Sequence, residues 1–459
     1  MLLALLLQAR LAAPAPSLAL TGATLIDGTG AMPVENATVV VADGRIQCAG
    51  ASCRVPPGAA VRDVRGSWIL PGIVDAHVHL AQTGWVDGRP DALDLRATHP
   101  YEAVEAELAA HPERFFRADL CSGVTSIFDV GGYPWSIDLA RREKDDPAAP
   151  RLAAAGPLLS TIDHWLNLPA ERQFLFIKDP ETARADVRYL AARGSSAAKV
   201  WYIVTPELSV EASAPAVMAA GEEAARLHLP LIVHATGLDE AKQALRAGAR
   251  LLVHSVEDDN VDEEFLTLAK SKGTIYCPTL TVLGGYLRLQ RWAATGQLPL
   301  VDDPNGCVDA ATRAKIASAP PPPPPDQAAR VQRLEKANAE ASALMAANLK
   351  RVAAAGIPVA MGTDAGNPLT LHGPSVYAEM EAMQAAGLTP MEVIVASTRG
   401  GSLAMGAASV TGTLEKGKSA DLIVVAADPA KDVANLRKVL FVMRAGVLRS
   451  QSELRAIPR

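Results

Sequence analysis

Residues 229–255 read LPLIVHATGLDEAKQALRAGARLLVHS, and the fold follows from this stretch. LPLIVHA (229–235) is a short apolar run bounded by turn residues, Asp239–Ala247 places apolar residues at helical spacing, and ARLLVHS (249–255) is a second apolar run. Strand, helix, strand at this length is a crossover unit, and such units build parallel sheets. The alternation continues outward in both directions. IVDAHVHL (73–80), VTSIFDV (124–130), RLAAAGPLLS (151–160) and AAKVWYIV (197–204) precede it, while TIYCPTLTV (274–282) and IPVAMGTDA (357–365) follow. Eight strands separated mainly by helical stretches count out an α/β fold, a (β/α)8 barrel of the TIM type over residues 69–406. Helices are expected at Tyr101–Ala118, Ala212–Leu227, Asp239–Ala247, Asp262–Lys270, Gln327–Ala355 and Ser375–Ala386. A Pro-rich insertion at about 284–326, with polyproline Pro320–Pro325, is expected as a surface loop or lid after strand seven.

The two chain ends have a different texture. LALTGATLIDG (18–28), ATVVVADGRIQCAG (37–50) and AAVRDVRGSWILPG (59–72) are short apolar runs broken by turns, with Asp43-Gly44 a hairpin signal. Similar runs return in GTLEKGKSADLIVVAADP (412–429) and VLFVMRAGVLRS (439–450). A small β-sandwich domain from 17–68 and 407–459 is therefore expected. Met1–Pro16 joins a leucine-rich block to small residues in the manner of a secretory leader, though without a basic start, which predicts a periplasmic or secreted protein rather than a cytoplasmic one. Cys48 and Cys53 have a spacing that can close a small disulfide loop; Cys121, Cys277 and Cys307 read as isolated apolar residues.

Lys and Arg number 44 against 50 Asp and Glu, a net charge of −6, so no basic field exists to recruit nucleic acid. Beyond the first residues there is no apolar run of about 18 residues, so no stable membrane span is expected. The expected partner is a small molecule, and the expected assembly is a homo-oligomer.

His77 and His79 sit two apart on a strand, so both imidazoles leave the same face. Lys199 lies inside the apolar run AAKVWYIV, where a bare ammonium is costly to bury. His234, His254 and Asp364 each close an apolar run. All six therefore fall at strand C-terminal ends, the face where barrel active sites are built, and five of them are ordinary metal ligands.

These six residues in this order, together with the PGIVDAHVHL lead-in (71–80) and the two-ended β domain, resemble the amidohydrolase superfamily across nearly the whole chain. The resemblance implies a pair of divalent metals, zinc by type, with Lys199 carboxylated by carbon dioxide into a bridging carbamate. One metal would take His77, His79, Lys199 and Asp364; the other would take Lys199, His234 and His254, with hydroxide between. Asp364 would then shuttle the proton to the leaving nitrogen. KVWYIV, YCPTLTV and the stretch from Gly362 to Gly406 are similar to the imidazolonepropionase-like branch, which also holds metal-dependent prolidases and aminoacyl-amino acid carboxypeptidases. Ser255 departs from the His-Gly of many relatives. The implied activity is hydrolysis of a dipeptide or an N-acyl amino acid; the alternatives are a cyclic-amide hydrolase and, less well matched, a deaminase. Tyr202, His164 and His372 are second-rank candidates for substrate hydrogen bonds. Trp85–Arg89, Tyr133–Trp135 and Trp165 are further aromatic or cationic groups in the loops.

Overall fold

The computed structural model describes residues 17–163, 173–318 and 327–456. The leader-like residues 1–16, His164, Trp165 and the run Pro320–Pro325 lie outside the described residues. In chain order the strands are β1 (Leu18–Leu25), β2 (Val34–Ala42), β3 (Arg45–Gly50), β4 (Ala60–Asp63), β5 (Trp68–Pro71), β6 (Ile73–Val78), β7 (Val124–Asp129), β8 (Arg151–Ala154) and β9 (Leu158–Ser160). They continue with β10 (Phe174–Phe176), β11 (Ala198–Trp201), β12 (Leu231–His234), β13 (Leu251–Val253), β14 (Ile275–Cys277), β15 (Leu422–Val425), β16 (Val439–Arg444) and β17 (Val447–Ser450).

The two chain ends share one sheet in the order β17-β16-β15-β5-β1-β2-β3, with β4 beside β1. β5 joins the halves by pairing parallel with β1 and antiparallel with β15. Asp43 and Gly44 turn the β2–β3 hairpin with φ of 51° and 69°, the left-handed pair that a two-residue hairpin of matching twist requires. The sheet has its own core, including Leu20, Val39, Ile69, Leu422 and Met443.

The middle of the chain is mixed α/β with parallel strands, β6-β7-β8 in one ladder and β10-β9-β11-β12-β13-β14 in another. Short apolar strands buried on both faces alternate with amphipathic helices, as parallel sheets demand. Hydrogen bonds link the two ladders on both sides. Ser196 N donates to Ala154 O at 2.8 Å, where β8 meets the start of β11. On the other side, segment 358–365 bonds to β14 through Tyr276 N to Pro358 O (2.8 Å) and to β6 through His79 N to Ala365 O (2.7 Å).

That segment, the expected eighth strand, forms only isolated bridges, Tyr276 to Val359 and Val78 to Ala365. Pro358 has no N–H to donate, Met361 N turns aside to Ala396 O, and Asp364 takes φ 63°. Gly362 lets it approach: a Cβ there would sit 2.6 Å from Cys277 Sγ and 2.7 Å from His77 Cβ. The expected helix Tyr101–Ala118 is two, Tyr101–Ala110 and Glu113–Cys121, because Pro112 ends the first. β10 was not expected, and pairs parallel with β9.

The insertion after β14 is largely helical among its described residues, with Val282–Thr295 and Ala310–Ile316. It packs on the loop that follows β6: Trp85 meets Trp292 edge-on at 4.8 Å, and Lys315 pairs with the buried Asp87 at 2.8 Å. Trp85, Leu289, Trp292, Val308, Ile316 and Leu371 form a separate small core there. Cys48 is bonded to Cys53, as their spacing suggested. The reading of Cys121 and Cys307 as isolated residues is corrected: they form a second disulfide across 186 residues, which fastens the insertion to the helix Glu113–Cys121. Cys277 is a buried free thiol.

Candidate metal centre

The ends of β6, β11, β12 and β13 and segment 358–365 open onto one cavity of about 310 Å³, lined by all six of His77, His79, Lys199, His234, His254 and Asp364. His77, His79, Lys199, His254 and Asp364 are each at most 7% exposed. The groups are in contact. His77 Nε2 and His79 Nε2 lie 3.2 Å apart and stand 3.2 and 3.0 Å from Asp364 Oδ1. The His254 ring centroid is 5.0 Å from that of His77 and 4.4 Å from that of His234. Ligand atoms of His77, His254 and Asp364 fall within 4.8 Å of one another.

A second layer fixes these rings. His79 Nδ1 donates to Gly131 O at 2.7 Å, which turns its Nε2 toward Asp364. His254 Nδ1 lies 2.7 Å from Thr279 Oγ1. Asp75 ties β6 to segment 358–365 by accepting from His77 N, Thr363 N and Thr363 Oγ1. His254, Thr279 and Asp364 all hold positive φ (74°, 45° and 63°), local strain gathered at the site.

Burial sets the charges. It lowers His77 to about 4, His234 to about 3 and His254 well below its ordinary value, so the imidazoles are neutral at pH 7. It lowers Lys199 to about 7, and Nζ has no hydrogen bond or ion pair among the described residues. Burial also pushes the Asp364 carboxyl up, but His77 and His79 beside it outweigh that and hold it well below the usual range. Asp364 Oδ1 is thus an ionised oxygen set directly against two imidazole Nε2 atoms in a buried pocket. Imidazole nitrogens and a carboxylate oxygen converging in one buried pocket are a donor set that fits a divalent cation.

The second-rank candidates lie elsewhere. The Tyr202 hydroxyl donates to Val210 O and accepts from Ser213 Oγ at the root of helix Val210–Arg226, outside the cavity lining. His372 stacks on Phe115 at 4.2 Å, with Nε2 3.1 Å from Gln82 O, and is likewise outside the lining. Trp85 and Tyr133 are core residues. Arg89 does reach the cavity, where Asp91 grips it at 2.6 and 2.8 Å. Arg89 and Tyr286 both donate to Asn367 Oδ1, and Asn367 Nδ2 donates to Asp364 O. Tyr286, Asn367, Gln82 and Glu257 escaped the sequence reading, because each is a lone polar residue in a loop or on a helix inside the insertion. The only available signal was Asn367's place three residues after Asp364.

Residues 68–449 match the model of the Amidohydrolase family. Ochratoxinase of Aspergillus niger is 26% identical over 442 residues, spanning 89% of this chain and 81% of that protein. Imidazolonepropionase of Mesorhizobium japonicum is 32% identical over 160 residues, 30% of this chain and 38% of that protein. Among solved structures, a Xaa-Pro dipeptidase with bound methionine aligns with TM-score 0.70 at 21% identity over 95% of this chain and all of that one. Molinate hydrolase aligns with TM-score 0.69 at 22% identity over 97% of each chain. At these identities the solved structures speak to the fold, while the match from 68 to 449 covers most of the sequence and spans all six clustered side chains. The chain therefore belongs to the amidohydrolase family, and is a hydrolase acting on carbon–nitrogen bonds.

Proposed function

We propose that this chain is a metal-dependent amidohydrolase that cleaves the amide bond of a dipeptide or an N-acyl amino acid, on a (β/α)8 barrel closed by segment 358–365. The observation that carries the reading is the buried Asp364 Oδ1, 3.0–3.2 Å from the Nε2 atoms of His79 and His77 on the cavity that Lys199, His234 and His254 also line. His77, His79 and Asp364 would hold one divalent metal, zinc by donor type, and His234 and His254 a second. Lys199 would serve both sites as a carbamate: its neutral Nζ would add to the carbon of carbon dioxide and release one proton, turning an awkward buried amine into an anion with two oxygen donors. Bound metal polarises the scissile carbonyl and lowers the pKa of water toward neutrality. Asp364, held ionised by its histidine neighbours, takes the proton of the attacking water and passes it to the leaving nitrogen. The second layer of Gly131, Thr279 and Asp75 keeps the ligand rings in register while this happens.

A cyclic amide is the alternative substrate, since imidazolonepropionase is 32% identical over 30% of the chain. The two disulfides support export to an oxidising compartment, periplasmic or extracellular. The test is a panel of dipeptides, N-acyl amino acids and cyclic amides given to the zinc-loaded protein. A kcat/KM of about 10⁴ M⁻¹ s⁻¹ or more on a linear member is expected. Turnover confined to cyclic amides or to deamination would replace the proposal.

A further inference from the structure

Among the described residues the cavity is lined by three carboxylates, of which two are accounted for: Asp364 faces His77 and His79, and Asp91 is paired with Arg89. Glu257 is the third. Its carboxylate makes no hydrogen bond or ion pair among the described residues, and the charged side chains that act on it, Asp258 and Glu240, are of like sign.

The backbone around Glu257 is fixed, so the side chain is free only in its own torsions. Glu257 N donates to Thr236 O at 2.8 Å, which sets it beside the turn that follows His234. Val256 N donates to the Tyr276 hydroxyl, and Asn348 Nδ2 donates to both Val256 O and Asp259 O at 2.9 Å. The next acid, Asp258, is taken up by Leu238 N at 2.9 Å. A rigid loop thus presents one partly buried, unpaired anion to the space where substrate must lie. Such a group is unfavourable in the free enzyme unless a ligand of opposite charge meets it. The Arg89 guanidinium on the same cavity is already held by Asp91 and Asn367, so its charge is matched within the protein.

We propose that Glu257 sets specificity by pairing with a protonated amine carried by the substrate, so that this enzyme prefers amides bearing an ammonium over their neutral counterparts. The proposal rests on the amide-hydrolase reading above and narrows its substrate class. Two sources of the ammonium share this chemistry: the α-amine of a dipeptide and the terminal amine of a longer acyl chain.

The test uses three ketomethylene isosteres, in which CH2 replaces the amide N–H and hydrolysis cannot occur: those of Gly-Phe, of 6-aminohexanoyl-Phe and of N-acetyl-Phe. The first and the last differ by one ammonium. Calorimetric Kd values are measured with zinc-loaded wild type, Glu257→Gln and Glu257→Asp, whose metal content and melting temperature check that each variant is folded. At least one ammonium isostere should lose about tenfold or more in affinity in Glu257→Gln, regain part of it in Glu257→Asp, and do so without a parallel loss for the neutral isostere. Which ammonium responds tells the α-amine from the distal one. Equal effects on all three isosteres, or no preference of wild type for an ammonium, would overturn the assignment. Hydrolysis of Gly-Phe and N-acetyl-Phe is followed in parallel: charge-selective binding with neither amide cleaved would defeat the amide-hydrolase reading and leave Glu257 where it is assigned.

Discussion

In the proposed mechanism Asp364 has two duties that a single substitution separates. As a ligand it would offer an oxygen, and as a proton carrier it would have to be ionised, a state that His77 and His79 favour at 3.0–3.2 Å. Asp364→Asn keeps an oxygen of the same reach but cannot accept a proton. That variant should hold much of its metal and lose about 10²–10⁴-fold in kcat. Near-normal turnover by the metal-replete variant would remove Asp364 from the chemistry. At this scale the sequence was informative wherever a polar residue broke an apolar run, as Lys199 does in AAKVWYIV. It was silent for Glu257, Tyr286 and Asn367, because a polar residue in a loop or on a helix looks the same whether it faces solvent or a cavity.

Helix Val282–Thr295 brings Tyr286 to the cavity, and its start is held by a buried acid on another helix. Glu379, in Ser375–Ala385, accepts from Leu280 N, Thr281 N and Thr281 Oγ1 at 2.8–3.0 Å. Burial raises its carboxyl from 4.5 to about 7, so between those values the folded chain binds the proton more tightly than the unfolded chain. Its stabilising contribution is therefore full below 4.5 and lost as pH rises through about 7. Glu379→Gln, which cannot titrate, should flatten the dependence of the urea midpoint on pH across that window. An unchanged pH slope would mean that Glu379 does not titrate there. Elements were legible in the sequence where period and punctuation agreed, as in Leu231–His234, Leu238–Arg246 and Leu251–Val253. They were not legible where one residue overrode the pattern: Pro112 divided a helix, and Pro358 with the left-handed Asp364 kept an apolar run from becoming a strand.

Across the whole molecule, the six ligand-type residues are drawn from positions 77 to 364 and meet in one cavity, which the order of strands and helices alone implied. The shared sheet of the two chain ends was legible for the same reason, since β5 and β15 have matched apolar texture and pair antiparallel. The Cys121–Cys307 bond was not, because nothing local marks a contact across 186 residues. The central claim is that this convergence holds two metals through Lys199. Elemental analysis of protein purified without chelator, wild type beside Lys199→Ala, tests it most directly. About two metals per chain are expected in wild type, with a fall below one in Lys199→Ala that propionate partly restores by occupying the vacated space with two oxygens. A wild-type value near one, or two metals retained by Lys199→Ala without added acid, would contradict the account.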